Sequence, residues 1–363
     1  MGKKPFTKKE RVLSAVNLEQ PDRVPLDFSA NTATLSRLYK DLNVETYREL
    51  LETFHIDILD LRGSIDPHYQ GPVPKERMLK GGIKENYWGW RTKTMDTEAG
   101  KEDCFVDFIL SDCQTIKEME QHQWPSVDWF DFSDFAERLE PWHEYAIMAS
   151  GASIWQHLSF LRGIENLLLD LLANPELANY ILDKFTDFYV AYFDKMFQSA
   201  PGKIDILRVA DDLGTQHGLL FSMDHFEAFI APRLKKIIDM AHSHNVRLMF
   251  HSCGSIIPTI EPLIKLGIDI LDPLQVSADN MDPHFIKDQF GSRLCLHGSM
   301  DTQFLLPKGT PEEVRYKARS MIDILGKGGG FILSPSHVLQ TDVPTENIKA
   351  LYEEGFKFLP EYR

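Results

Sequence analysis

The sequence predicts an α/β protein, a (β/α)8 TIM barrel in one domain spanning residues 1–363, with a long insertion between the second and third strands. Three observations carry this. Short runs rich in Val, Ile and Leu recur eight times, and helix signals separate them. No dinucleotide-type glycine fingerprint follows an early run, which counts against an open doubly wound sheet.

In chain order the runs are Val24 to Phe28, Ile56 to Leu61, Tyr145 to Ala149, Ile204 to Ala210, Val246 to Phe250, Ile268 to Leu271, Leu294 to His297 and Phe331 to Leu333. Continuous apolar runs bounded by turns are what parallel strands buried on both faces require. Between them, Asn174-Pro175-Glu176 opens one helix, and Ser222 to His244 reads as a long amphipathic one. Thr310-Pro311-Glu312-Glu313 is a capping box with proline at the first helical position, and the glycines at 328–330 end that helix. Residues 62–143 are too many for a simple crossover. They carry Tyr87, Trp88, Trp90, Trp124 and Trp129, and are expected to cover one barrel mouth, with Tyr87, Trp88 and Trp90 read either as a lid or as core.

The bulk numbers bound the function. The chain is 43% hydrophobic, 26% charged and carries a net charge of -15. A uniformly anionic protein gains nothing from phosphate backbones, so no nucleic acid is expected as a partner. No apolar stretch approaches the ~20 residues that span a bilayer, so no membrane is expected either. Four cysteines (Cys104, Cys113, Cys253, Cys295) without disulfide spacing, and a polar segment after the first basic residues instead of a signal peptide, predict a cytoplasmic protein. The pattern of residues is compatible with a homodimer and argues neither for nor against one.

In a parallel barrel the chemistry sits at the carboxyl ends of the strands. Those ends are Asp27, Asp60 with Arg62, Ser150, Asp211 with Asp212, His251 with Cys253, Asp272, His297, and Ser334-Pro335-Ser336-His337. Alternate strand residues share a face, so His251 and Cys253 project side by side, an imidazole nitrogen next to a sulfur. With His337 from the last strand they make a His2Cys set suited to zinc, and its open fourth position is that of a catalytic site. Such a zinc could hold a thiol as thiolate. His337 is also a candidate for catalysis, through proton transfer or contact with an anionic substrate. Of Asp211 and Asp212 only one can face the mouth, as a further metal ligand, substrate anchor or acid/base, while the other caps the next helix. Arg162 and Glu165 read as an ion-pair or capping cluster, and Asp301-Thr302-Gln303 as either a turn or a ligand contact.

Several motifs together resemble the uroporphyrinogen decarboxylase superfamily: Asp22-Arg23-Val24-Pro25, Leu161-Arg162-Gly163-x-Glu165-Asn166, Asp211-Asp212-Leu213-Gly214-Thr215-Gln216, His251-Ser252-Cys253-Gly254, Asp301-Thr302-Gln303 and Pro344-Thr345-Glu346-Asn347-Ile348. Within it the chain is closer to the cobalamin-dependent methyltransferase branch. That resemblance implies methyl transfer between a corrinoid protein and a thiol or related small-molecule acceptor, with cobalamin carried by the partner. It implies zinc on a His-x-Cys motif, here His251 and Cys253, and on a second cysteine in a Ser-Pro-Gly-Cys-like loop. The loop here reads Ser334-Pro335-Ser336-His337, so an imidazole replaces a thiolate and the metal shell loses one negative charge. Asp27, Arg62, Gln216 and Gln303 are the expected substrate-binding residues. The alternative is porphyrinogen decarboxylation. Against it, the arginine-rich segment expected after the first strand reads Leu26-Asp27-Phe28-Ser29-Ala30-Asn31-Thr32, with no arginine for a polycarboxylate. A third reading is a non-catalytic corrinoid-binding protein with a structural metal.

Overall fold

The computed structural model describes residues 6–97 and 100–358, so the basic start at residues 1–5 lies outside the described residues. Seven parallel strands form one sheet in chain order: β1 (Ile58–Asp60), β2 (Ala146–Ala152), β3 (Ile206–Ala210), β4 (Arg247–His251), β5 (Ile270–Leu274), β6 (Cys295–Met300) and β7 (Phe331–Pro335). The eighth predicted strand, Val24 to Phe28, is reduced to one parallel bridge, Leu26 to Leu333. Its backbone still joins the two sheet edges. Leu333 N–H donates to Pro25 O (2.9 Å), Asp27 N–H to Leu333 O (3.1 Å), and Asp57 N–H to Leu26 O (2.9 Å). Pro25 has no N–H to offer a ladder. The Leu26 N–H turns instead to the Asp57 carboxylate at 2.9 Å. That closes the barrel.

Asp57 is fully buried and also accepts from Arg11 Nη1 (2.7 Å) and from Arg23 Nη1 and Nη2 (2.7 and 2.9 Å). A buried carboxylate is tolerable only when so satisfied. The arrangement holds the Asp22-Arg23-Val24-Pro25 segment and helix α1 (Lys8–Val16) against the barrel floor. Val12, Ala15 and Val16 of α1 plug that floor, packing on Ile58, Ala146, Met148, Ile206, Met249, Ile270, Cys295 and Ile332.

Those eight side chains are the inward residues of the strands. Counting two positions further along each strand gives the next inward layer: Asp60, Ser150, Arg208, His251, Asp272, His297 and Ser334. An apolar floor thus changes to a polar layer within one strand repeat. The outward residues, among them Leu59, Ile147, Leu207, Leu248, Phe250, Leu271 and Leu296, pack under the surrounding helices.

The predicted Ser222–His244 helix is interrupted. Ser222 caps Met223–His225, a wide π turn covers Phe226–Ile230, and a regular helix resumes over Ala231–Ser243. Pro232, without an N–H, stands where the ladder loosens.

The insertion contains a four-stranded antiparallel sheet, Glu76–Leu79, Ile83–Asn86, Arg91–Thr97 and Gly100–Phe105. Of lid and core, its aromatic residues take the core reading. Trp88 is buried and stacks on Phe185 of the long helix Pro175–Ser199 with ring centres 4.5 Å apart, and Tyr87 packs on Tyr69 and Phe130. Burying aromatic rings of this size against a helix gains more than leaving them over solvent. Trp90 touches His157 (4.6 Å) and Phe105 stacks on Phe160 (3.7 Å), so the sheet flanks helix α2 (Gln156–Arg162). The insertion reaches the mouth cavities through Arg62, Gly63 and Ser64, at its very start. Arg162 is structural, bound to Asp170 (2.8 Å) and to the carbonyls of Leu110, Ser111 and Cys113. Among the described residues, no helix is long and apolar enough to cross a membrane.

Candidate metal centre at the barrel mouth

His251 ends β4, and the chain then turns sharply through Ser252-Cys253-Gly254. Gly254 sits at φ +91, where a Cβ would lie 2.4 Å from Thr215 O, so only glycine lets this loop press on the 214–215 loop. The contact is fastened by Leu213 N–H to Ser252 Oγ (2.9 Å), Ser255 N–H to Thr215 O (2.8 Å) and Gly254 N–H to Gln275 Oε1 (2.7 Å). The Cys253 thiol is thereby fixed beside the imidazole, Sγ 3.5 Å from His251 Nε2. One ligand atom each from His251, Cys253 and His337 lie within 4.8 Å of one another.

The other imidazole nitrogen of His251 explains its orientation. Nδ1 lies 2.8 Å from Asp272 Oδ2 and 2.6 Å from Arg208 Nη2. It cannot both donate to the carboxylate and accept from the guanidinium. Asp272 is the stronger claim, because it is an ionised acceptor already held by Arg208 Nε at 2.6 Å. Nδ1–H therefore donates, and Nε2 keeps its lone pair toward Cys253. A carboxylate fixing the tautomer of a metal-facing histidine is the usual outer support of a zinc site.

Burial alone would raise the Asp272 carboxyl, but Arg208, His251 and His297 outweigh it and hold it well below the usual carboxylate range. His297 bridges Asp272 Oδ1 (2.8 Å, Nδ1) and Asp27 Oδ2 (2.9 Å, Nε2). Burial opposes its charge, yet the two carboxylates win and push its pKa up to about 9. Burial and the carboxylates of Asp212 and Asp272 push the Cys253 thiol well above its ordinary value, so a thiolate here needs a cation beside it. His337 stands at the open rim. Desolvation and the neighbouring His251 lower its pKa, which keeps it in the neutral, ligating form near pH 7.

The adjacent aspartates separate cleanly. Asp212 faces the mouth: Oδ1 accepts Cys253 N–H (2.9 Å) and lies 3.7 Å from His251 Nε2, and Oδ2 accepts from Gln156 Nε2 (3.1 Å). Asp211, a sequence candidate for catalysis, is fully buried and does not line the mouth. It accepts from Ser153 Oγ (2.7 Å) and from the N–H groups of Ile154, Trp155 and Gln156 (2.9, 2.7 and 2.9 Å), capping the start of α2 and not the helix that follows β3. Burial nevertheless pushes its carboxyl up to about 6.

Of the expected substrate-binding residues, Asp27 and Arg62 line an inner cavity of about 200 Å3, which also meets Asp60, Arg208, Asp212, His251, Asp272 and His297. Gln216 and Gln303 line a neighbouring cavity of about 300 Å3 on the far side of Cys253 and His337. Asp301 forms a turn, its carboxylate taking the N–H groups of Gln303, Phe304 and Leu305. Sequence reading assigned no role to Arg208, Gln275 or Gln340. An arginine inside the otherwise apolar strand Ile206–Ala210 was a readable signal, because a buried charge implies a buried partner. The glutamines carried none.

The family model described as uroporphyrinogen decarboxylase (URO-D) matches residues 137–356. A methylated-thiol–coenzyme M methyltransferase of Methanosarcina mazei is 28% identical over 194 residues, covering 52% of this chain and 47% of that protein. A uroporphyrinogen decarboxylase of Anaeromyxobacter sp. is 28% identical over 197 residues, covering 54% and 53%. The chain spans about half the length of the curated relatives it matches. A solved methyltransferase from Methanosarcina mazei superposes with a TM-score of 0.64 at 18% identity, over 97% of this chain and 99% of that one, which shows a shared fold. With the family model matching well over half of its residues, the chain belongs to the uroporphyrinogen decarboxylase family.

Proposed function

We propose that this chain is a zinc-dependent methyltransferase that moves a methyl group between a corrinoid carried by a partner protein and a thiol or related acceptor. The observation that carries the reading is the convergence of one sulfur and two imidazole nitrogens within 4.8 Å, with the His251 tautomer fixed by Asp272. The donor set fits zinc: neutral imidazoles, a thiol whose ionisation calls for a cation, and a fourth position left to the mouth. Zinc held by His251, Cys253 and His337 would supply Lewis acidity that stabilises an incoming thiol as thiolate near neutral pH.

The residues of the chain do the rest. Asp212, open to the mouth, accepts the proton of the incoming thiol. Asp272 and Arg208 hold the His251 ring. Asp211 acts at one remove, by capping the start of α2, where Gln156 stands. As the methyl group moves, a carbon–sulfur bond forms while the carrier's bond to carbon breaks, and the electron pair of the broken bond stays with the carrier. Decarboxylation of a porphyrinogen fits less well. Asp27, Asp60, Asp212 and Asp272 all line the inner cavity, its two arginines are already paired, Arg208 with Asp272 and Arg62 with Asp60, and about 200 Å3 is small for a tetrapyrrole.

Zinc analysis of the purified protein tests this, together with transfer from methylcobalamin to a thiol. One zinc per chain, lost in Cys253→Ala along with transfer, is the expected result. Wild-type protein without zinc after metal-replete purification would overturn the mechanism.

A further inference from the structure

The two mouth cavities meet at the His251–Cys253–His337 cluster and differ in chemistry. The inner one is charged. The outer one is lined by Gln216, Gln275, Gln303 and Gln340 with Ser277 and Thr302, brought from the loops after β3, β5, β6 and β7. No lysine or arginine is among its lining residues. Its carboxylate, Asp301, is satisfied by three backbone N–H groups: Oδ1 by Gln303 (3.2 Å), Oδ2 by Phe304 and Leu305 (2.9 Å each). Gln275 is itself locked, its Oε1 held by Gly254 N–H and its Nε2 donating to Gln216 Oε1 at 3.2 Å, which leaves the Gln216 NH2 group as a donor.

A cavity lined by primary amides, with its one carboxylate turned to the backbone, both donates and accepts. Its best complement is another carboxamide, which can pair with Gln303 or Gln340 through N–H and C=O at once and accept from the Gln216 NH2 group. A carboxylate arm away from the metal cluster would meet no lysine or arginine and would face the Asp301 carboxylate. We infer that this chamber takes the carboxamide arms on the methyl-bearing face of a corrin ring, seating the partner's corrinoid with its methyl group toward Cys253 and His337. This rests on the corrinoid reading above and adds where and by what chemistry the ring is held. A corrin is too wide to enter about 300 Å3 whole, so its arms descend while the ring lies across the mouth. The small thiol then has the charged inner cavity to itself.

Free corrins test it. Wild-type protein should bind methylcobalamin in an absorbance titration, and Gln303→Ala with Gln340→Ala should weaken binding roughly fivefold per lost amide pair, with zinc content unchanged. Cobinamide should bind wild type better than cobyrinic acid, whose arms are carboxylates, and Gln303→Lys with Gln340→Lys should reverse that order. Equal binding by wild type and the alanine variant, equal binding of the two corrins, or no corrin binding at all would overturn it. Methyl transfer separates the two levels. Wild-type transfer with an unchanged KM for methylcobalamin in the alanine variant sinks the amide chamber alone, whereas selective corrin binding without any transfer to a thiol sinks the methyltransferase reading and leaves the chamber standing.

Discussion

The Nδ1 of His251 lies 2.8 Å from Asp272 Oδ2, which turns Nε2 toward the Cys253 sulfur 3.5 Å away. One hydrogen bond between neighbouring strands thus decides which nitrogen is offered to a metal. Replacing Asp272 by asparagine should cut zinc affinity by roughly 10- to 100-fold, the range seen when an outer carboxylate is removed. Competition with a chelator measures it. Wild-type affinity in the variant would show that Asp272 does not set the tautomer.

His337→Cys should exchange an imidazole for a thiolate and return one negative charge to the metal shell. The variant is expected to hold zinc more tightly at pH 8 and to transfer methyl to a thiol faster, because a more electron-rich shell leaves the bound sulfur more nucleophilic. Single-turnover rates read this out. A slower variant with full zinc occupancy would assign His337 a role beyond coordination.

His297 gives a stability signature in pH. Its folded pKa stands at about 9, above the unfolded ~6.5, so the protonated form is favoured in the folded state. Its contribution is fully present below pH ~6.5 and is lost as pH rises through about 9, in total on the order of 3 kcal/mol. The urea midpoint of wild type should fall between pH 6.5 and 9. In His297→Gln that slope should flatten, and an unchanged slope would assign the titration elsewhere.

Asp57→Ala should destabilise the fold by about 3–5 kcal/mol, since it leaves buried Arg23 without its carboxylate, takes from Arg11 one of two carboxylate partners (Asp22 remains) and frees the Leu26 N–H. The lesion lies at the barrel floor, so folded variant at low temperature should keep its zinc stoichiometry. Thermal unfolding with metal analysis distinguishes the two effects. Loss of zinc from protein that remains folded would contradict the separation of floor and mouth.

Much of the barrel was legible because its physics is local. Seven of the eight apolar runs became strands, and the eighth kept its place through two sheet edges although Pro25 denied it a ladder. The Trp88 region stayed open between lid and core for a physical reason. A cluster of aromatics reads the same whether it faces a mouth or a helix, and only the position of Phe185 settles which.

By itself the sequence determined the strand periodicity, and with it that His251, Asp272 and His297 stand two residues above an apolar floor, because the face a strand residue occupies follows from counting alone. Tertiary structure decided what counting cannot reach: that Asp212 and not Asp211 faces the mouth, that Asp272 orients His251, and that four glutamines share one chamber. Those outcomes depend on loops leaving the strand ends, where backbone direction is set by packing between segments distant in sequence and no period links one residue to the next.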